Sequence, residues 1–263
     1  MNREEVLKIL NKKKVIAFMP AFNEEKRIGE TLKKIPPFIY KTLVINDGSI
    51  DKTEEIAKKM GAVVINHEKN SGAGAAYKTG FKKSLELNPD YVVLVHSDGQ
   101  HDPEEILDIL EPLVDNRAGY TLGARLKGRL ENMPFTRYVG NRIISILWSL
   151  ATGYSLNDAL TGFHAITPDA LKKLNIDRWS NDYMVETDIL EDVVLNDIKI
   201  EEVPIKCIYK GSVSLVKPLK DGRDYCMRAL GGTLRRIKKK LGFKVIIPDS
   251  TNRIWKPGKP SKF

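Results

Sequence analysis

His96, Asp98 and Gln100 stand at alternate positions in the loop "HSDGQHDP", directly after the apolar run "YVVLV". An aspartate followed two residues later by an amide is a donor pair for a hard divalent cation. Mg2+ takes few protein oxygens and leans on substrate phosphates, and Mn2+ also tolerates an imidazole. Asp98 and the Gln100 carbonyl oxygen can hold such an ion, with His96 and Ser97 beside them. The same loop also suits a strand-to-helix turn in which Asp102 and Pro103 start the helix. Two further stretches have the same ambiguity. In "INDGSIDKT", Asp47 can accept hydrogen bonds from a base or ribose, or the segment is a turn with Asp51 as helix cap. In "NSGAGAAYKTG", Gly72 and Gly74 enter a helix whose first N–H groups can face phosphate. That pattern is neither a P-loop nor G-x-G-x-x-G, and "MPAFNEE" gives no dinucleotide fingerprint after the first strand.

These loops need elements to hold them. Short Val- and Ile-rich runs, "KVIAFMP", "KTLVIND", "AVVIN", "DYVVLVH" and "GYTLGAR", alternate with helical patterns. The alternation predicts an α/β fold with a mainly parallel sheet, covered on both faces. Ligands of such sheets bind beyond the carboxyl ends of the strands, where every candidate loop falls. Farther on, "RYVGNRIISILWSLATG" and "DYMVETDILEDVVLND" read as helices and "KIEEVPIKCIY" as a strand. In "DGRDYCMRALGGTLRRIKKKL", Met227, Leu230, Leu234, Ile237 and Leu241 form one apolar seam among basic residues. The apolar centre of the earlier helix, from Ile143 to Thr152, is expected mostly in the core. The domain plan expected is a helical extension over 1–13, an α/β domain over 14–220, a basic amphipathic helix over 221–243 and an extended tail over 244–263.

Net charge is +9, but it is unevenly placed. Residues 205–263 hold 16 Lys and Arg against 3 Asp and Glu, whereas the rest of the chain is net −4. This asymmetry predicts an anionic partner surface. The basic segment lacks aromatic interleaving and a recognition motif, so nucleic acid is not the expected partner. Two cysteines outside any C-x-x-C pair give no basis for a disulfide or zinc site. There is no apolar run of transmembrane length, and "MNREEVLKILNKKK" is no signal peptide, so a cytoplasmic protein is expected.

Taken in order, "PAFNEE", "INDGSIDKT", "NSGAGAAYKTG", "SDGQHDPE" and "GAR" closely resemble the inverting family 2 glycosyltransferases of GT-A fold. "FTRYVGNRIIS", "NDALTGFHAIT", "VETDILEDVV" and "EEVPIKCIYKGSVSLVKPLKDG" are similar to the dolichyl-phosphate mannosyl- and glucosyltransferases within that family. The likeness runs from about Val15 to Arg223. It implies that Pro20, Phe22, Glu24, Ile45 and Asp47 meet the nucleotide. His96, Ser97 and Asp98 match the family's Asp-x-Asp triplet, with Asp98 and Gln100 at the metal-contacting positions. His96 is the main departure, and Asn46 in place of an Asp is a second. Arg125 matches an arginine near the transfer centre, and Arg137 and Asn141 match residues that receive the lipid phosphate. Asp98, Arg125 and Arg137 are thus the implied catalytic set. Ser214 belongs to the lipid-phosphate group; Leu215 follows it where the family has a basic residue, and Lys210 or Lys217 can substitute in holding the donor.

The activity implied is inverting transfer of a sugar from a nucleotide-diphosphate donor, of GDP-mannose or UDP-glucose type, to a polyprenyl (dolichyl) monophosphate. Mg2+ or Mn2+ is the implied cofactor. The lipid acceptor implies peripheral attachment to the cytoplasmic membrane face through the basic helix, with a membrane-protein partner as another use of the seam. Two other readings share the donor site: a transferase with a soluble acceptor, and a binding protein in which His96 has impaired catalysis.

Overall fold

The computed structural model describes residues 1–208, 218–245 and 250–251, with the side chains of 218–221 left aside. In chain order the elements are α1 (Arg3–Leu10), β1 (Val15–Ala21), α2 (Ile28–Lys33), β2 (Ile39–Asn46), α3 (Thr53–Lys59), β3 (Val63–Asn66), α4 (Ala73–Glu86), β4 (Tyr91–Leu94), α5 (Ile106–Val114) and β5 (Tyr120–Ala124). There follow β6 (Leu130–Glu131), α6 (Phe135–Thr152), β7 (His164–Ile166), α7 (Pro168–Leu171), α8 (Val185–Leu195), β8 (Ile200–Pro204), β9 (Cys207–Ile208) and α9 (Pro218–Lys240).

Seven strands form one sheet in the order β3-β2-β1-β4-β7-β5-β8. All neighbours are parallel except β7, which runs antiparallel to β4 and β5. The expected mainly parallel α/β sheet is therefore present. Alternate residues feed opposite cores, as the two-residue period of a strand requires. Ile16, Phe18, Leu43 and Ile45 pack with α4, α6 and α8, while Val15, Met19 and Val44 pack with α1, α2, α3 and α5. The N-terminal helix does not stand apart: Val6 and Leu10 are fully buried with α5, and Arg3 pairs with Asp108.

α6 and α9 lie side by side on the first of these cores, and their inner faces are narrow. α6 buries Ser145, Trp148, Ala151 and Thr152, yet Phe135, Ile143, Ile146 and Leu150 are 51–78% exposed. The stretch from Ile143 to Thr152 is thus split between core and surface. α9 turns its whole seam outward, with Met227, Leu230, Leu234, Ile237 and Leu241 all 49–68% exposed. It docks through Tyr225, Ala229 and its basic residues instead. Arg228 pairs with Asp188, Arg235 with Glu191, and Lys239 with Asp197. Arg236 donates to the Leu150 carbonyl near the end of α6. Gly231 and Gly232 do not break α9, because Gly232 is buried where Glu191 and Ala151 come near. Tertiary packing there outweighs low helix propensity. No helix of the described residues is long and apolar enough to cross a membrane.

Candidate active site at the strand ends

The carboxyl ends of β1, β2 and β4 meet at one edge, and their loops are stitched by side-chain to backbone bonds. Asn23 N–H donates to Ser49 Oγ at 2.9 Å, Glu24 N–H to Thr53 Oγ1 at 2.7 Å, and Ile50 N–H to Asn23 Oδ1 at 3.0 Å. Asn46 accepts from Ser49 N–H and donates its amide to Asn66 Oδ1 at 2.9 Å. An aspartate has no donor to give there. Asp47 is 4% exposed. Its Oδ1 accepts from Ser71 N–H at 2.9 Å and lies 2.6 Å from His67 Nδ1, and its Oδ2 accepts from Gly72 N–H at 2.8 Å. The start of α4 is therefore tied down by the chain itself. The Asn181 carbonyl accepts from Gly74 and Ala75, and a Cβ on Gly74 would stand 2.1 Å from the Ser180 carbonyl oxygen. These amides hold the chain together and do not face outward toward a phosphate.

Ser97 is 3% exposed and donates its hydroxyl to the Pro20 carbonyl at 2.7 Å, bracing β1 against the loop after β4. Ile45 has no exposed surface at all. The side chain is core, because its strand position faces α4, so any contact with a nucleotide falls to its main chain. Phe22 is 40% exposed at the end of β1, and Glu24, Asp98 and Gln100 are half-buried around the same mouth. Burial, then the nearby Asp98 charge, pushes the Glu24 carboxyl up to about 7. Two carboxylates at one mouth are oxygen donors suited to a hard cation. Asp98 and Gln100 would hold such an ion from the protein side. Asp98 also accepts from the Gln100 N–H at 3.0 Å, and the Gln100 main-chain carbonyl accepts from Ile208 at 3.1 Å. β9 thus straps the loop from the other side. Among the described residues no group of three or more His, Cys, Asp or Glu gathers into a metal cluster.

His96 turns inward from this mouth. Its Nε2 lies 2.5 Å from the Tyr77 hydroxyl of α4, and its ring occupies the space over Gly162, where a Cβ would stand 2.1 Å from Cε1 and Nε2. Burial raises the carboxyl of Glu186, on α8, to about 8. His101 packs behind His96 at 5.6 Å between centroids, with neither ring nitrogen bonded.

Arg125, 7% exposed, follows β5. Its Nε and Nη2 grip Asp158 at 2.7 and 2.8 Å, and Nη2 also donates to the Leu160 carbonyl at 2.5 Å. Glu202 in turn accepts from the N–H groups of Asn157 and Asp158 at 2.7 and 2.9 Å. Arg125 therefore knits three segments, and acts on the site as a fixed positive charge behind it. Its field opposes protonation of His96, second to burial and against the pull of Asp98, and favours ionisation of Glu186. Arg137 and Asn141, one turn apart, are both half-buried on α6. Lys210, Ser214 and Lys217 lie outside the described residues.

Residues 16–174 match the model of glycosyl transferase family 2. The chain belongs to this family. An uncharacterized protein of Methanocaldococcus jannaschii is 38% identical over 203 residues, covering 76% of this chain and 84% of that one. The UDP-N-acetylglucosamine–dolichyl-phosphate N-acetylglucosaminyltransferase of Methanococcus voltae is 34% identical over 217 residues, covering 75% of this chain and 86% of that enzyme. Glucosyl-3-phosphoglycerate synthase of Mycobacterium tuberculosis, crystallised with UDP, shares the fold at a TM-score of 0.65 and 20% identity, covering 89% of this chain and 84% of that one. The same enzyme has also been crystallised with Mn2+ and UDP. The present chain is a family 2 glycosyltransferase, and the strand-end site is where its donor chemistry is to be sought.

Sequence reasoning missed Tyr77, Gly162, Glu186 and Asp158 as parts of this site. Asp158 and Gly162 lie in "NDALTGF" and Glu186 in "VETDILEDVV", so the signal was in motifs that carried no assigned role.

Proposed function

We propose that this family 2 glycosyltransferase moves a sugar, with inversion, from a nucleotide-diphosphate sugar to a polyprenyl monophosphate at a membrane surface. The observation that carries the acceptor is on α6. Arg137 and Asn141 sit in its first turns, and Phe135, Tyr138, Val139, Ile143 and Ile146 are 37–78% exposed on the same helix. Phosphate-binding side chains and an apolar surface for a lipid tail are thus joined in one element. The outward seam of α9 extends that surface, and dolichyl and polyprenol phosphate enzymes are among the relatives.

A divalent cation, Mg2+ or Mn2+, supplies charge neutralisation for the leaving diphosphate when bound. Asp98 and Gln100 would hold it, and Glu24 would add carboxylate charge at the same mouth. Phe22 and Glu24 are the exposed and half-buried surfaces offered to the nucleotide. The acceptor phosphate is already an anion near neutral pH, so the protein's task is to orient it. Arg137 does this by pairing its fork with phosphate oxygens, and Asn141 adds an amide donor one turn on. Holding the two reactants in line lowers the barrier by proximity. Lys210 and Lys217 are proposed to bind the donor and Ser214 the lipid phosphate, as their motif implies. The membrane face is anionic, and the basic residues of α9 that do not face α8 would be drawn to it.

The test is transfer of label from GDP-mannose, UDP-glucose and UDP-N-acetylglucosamine to polyprenyl phosphate with Mg2+ or Mn2+. Label in the lipid phase with one donor, lost in Asp98→Ala and Arg137→Ala, is the expected outcome. No lipid-phase label from any of the three, with label entering a water-soluble product instead, would reject the acceptor. His96→Asp is expected to retain or strengthen metal-dependent turnover.

A further inference from the structure

His67 follows β3 directly and reaches two other elements at once. The strand ends lean on one another: Asp47 N–H donates to the Ala21 carbonyl at the end of β1, and His67 N–H donates to the Asn46 carbonyl at the end of β2, both at 2.9 Å. This pairing sets the imidazole against the Asp47 carboxylate, with Nδ1 2.6 Å from Oδ1. The other ring nitrogen, Nε2, lies 2.9 Å from Thr79 Oγ1 on α4. The ring is therefore held at both nitrogens.

Whichever way the Thr79 hydroxyl proton points, Nδ1 carries a proton toward Asp47, because a carboxylate only accepts. Its two oxygens together offer about four acceptor positions. Oδ1 takes His67 Nδ1–H and Ser71 N–H, at 2.6 and 2.9 Å, and is full. Oδ2 takes Gly72 N–H at 2.8 Å and, among the described residues, nothing else. One acceptor position is left, on Oδ2. A planar fork of two N–H groups needs one position on each oxygen. This separates the bases of the candidate donors. Uracil carries a single ring N–H. Guanine carries a ring N–H and an amino group side by side, and with Oδ1 full one member of that fork goes unmet. An unmet buried donor costs more than a made bond contributes.

We propose that His67 is a specificity-determining residue of the donor site: by filling Oδ1 it leaves Asp47 a single acceptor position for the nucleotide base, and so selects uracil over guanine. The donor is then a uridine diphosphate sugar. His67 acts on the base through Asp47, and Thr79 keeps the ring in place for that task. This assignment rests on the reading of Asp47 as a nucleotide contact, and its test separates the two.

That test is calorimetric titration of the full chain with UDP and with GDP, in the presence of Mg2+, for wild type and His67→Ala. Wild type is expected to bind UDP more tightly than GDP by about tenfold or more. In His67→Ala that ratio is expected to narrow by about tenfold, because Oδ1 regains an acceptor position worth one hydrogen bond. A merely structural role would weaken both nucleotides alike, so a ratio unmoved by His67→Ala overturns the proposal. Wild type that binds GDP as tightly as UDP also overturns it, and leaves the donor site standing. Binding of neither nucleotide by wild type overturns the donor-site reading together with the proposal. Thr79→Val keeps the imidazole but releases Nε2, and is expected to narrow the ratio by a smaller factor. It serves where His67→Ala folds poorly, and an unmoved ratio there counts against the proposal in the same way.

Discussion

The floor of the site and the α6–α9 pair are built on opposite plans. Beneath the strand ends, charged groups are buried and apolar residues enclose them: Arg125, Asp158 and Glu202 knit β5, the 157–160 segment and β8 in the interior. On α9 three basic residues point toward the protein and the apolar seam away from it. Arg228, Arg235 and Lys239 latch α9 to Asp188, Glu191 and Asp197, while Leu230, Leu234 and Ile237 face out. A water-soluble helix puts its apolar stripe inward. The difference teaches that basic residues in the α9 sequence serve two masters. Those facing α8 are structural, and only the remainder is available to an anionic surface.

The comparison can be broken first at the floor. Asp158→Ala leaves the Arg125 guanidinium buried without its carboxylate, and stability measured by chemical denaturation is expected to fall by about 3–5 kcal/mol. A smaller loss comes from crowding. Gly162→Ala drives a methyl group into the His96 ring, with an expected cost of about 1–3 kcal/mol, partly restored when combined with His96→Ala. Next is a change in slope. The Glu186 carboxyl is raised in the folded state to about 8 from an ordinary 4.5, so the folded protein holds a proton that the unfolded chain releases between those values. Its contribution is complete below about pH 4.5 and is lost as pH rises through 8. Glu186→Gln is expected to flatten that decline, seen in thermal melts across pH. The smallest effect on folding belongs to the outer surface. Leu234→Glu with Ile237→Glu is expected to shift stability by less than about 0.5 kcal/mol, yet to abolish sedimentation with anionic vesicles. Loss of folding with intact vesicle binding would reverse the assigned plan.

Periodicity made the sheet legible. Runs such as "KVIAFMP" and "DYVVLVH" became β1 and β4, and the candidate loops fell at their ends as the parallel arrangement required. The antiparallel direction of β7 was not legible, since the three residues His164–Ile166 have the same alternation read either way. Asp98 and Glu24 could be found because they lie in short local motifs. The Tyr77–His96 contact could not, because it is made only when α4 packs beside the loop after β4. The seam of α9 was visible as spacing, but spacing does not say which way a seam points. That was decided by Asp188 and Glu191, three residues apart on α8, which capture the basic face.

The berth of His96 over Gly162 also limits how this chain can change. The imidazole and any side chain at position 162 compete for one volume, so neither site can drift alone. A lineage moving away from histidine must shrink residue 96 before residue 162 can grow, and one moving toward it must already carry the glycine. The order of substitutions is thereby fixed in both directions, and mutational histories of the two positions should be read as a single locus.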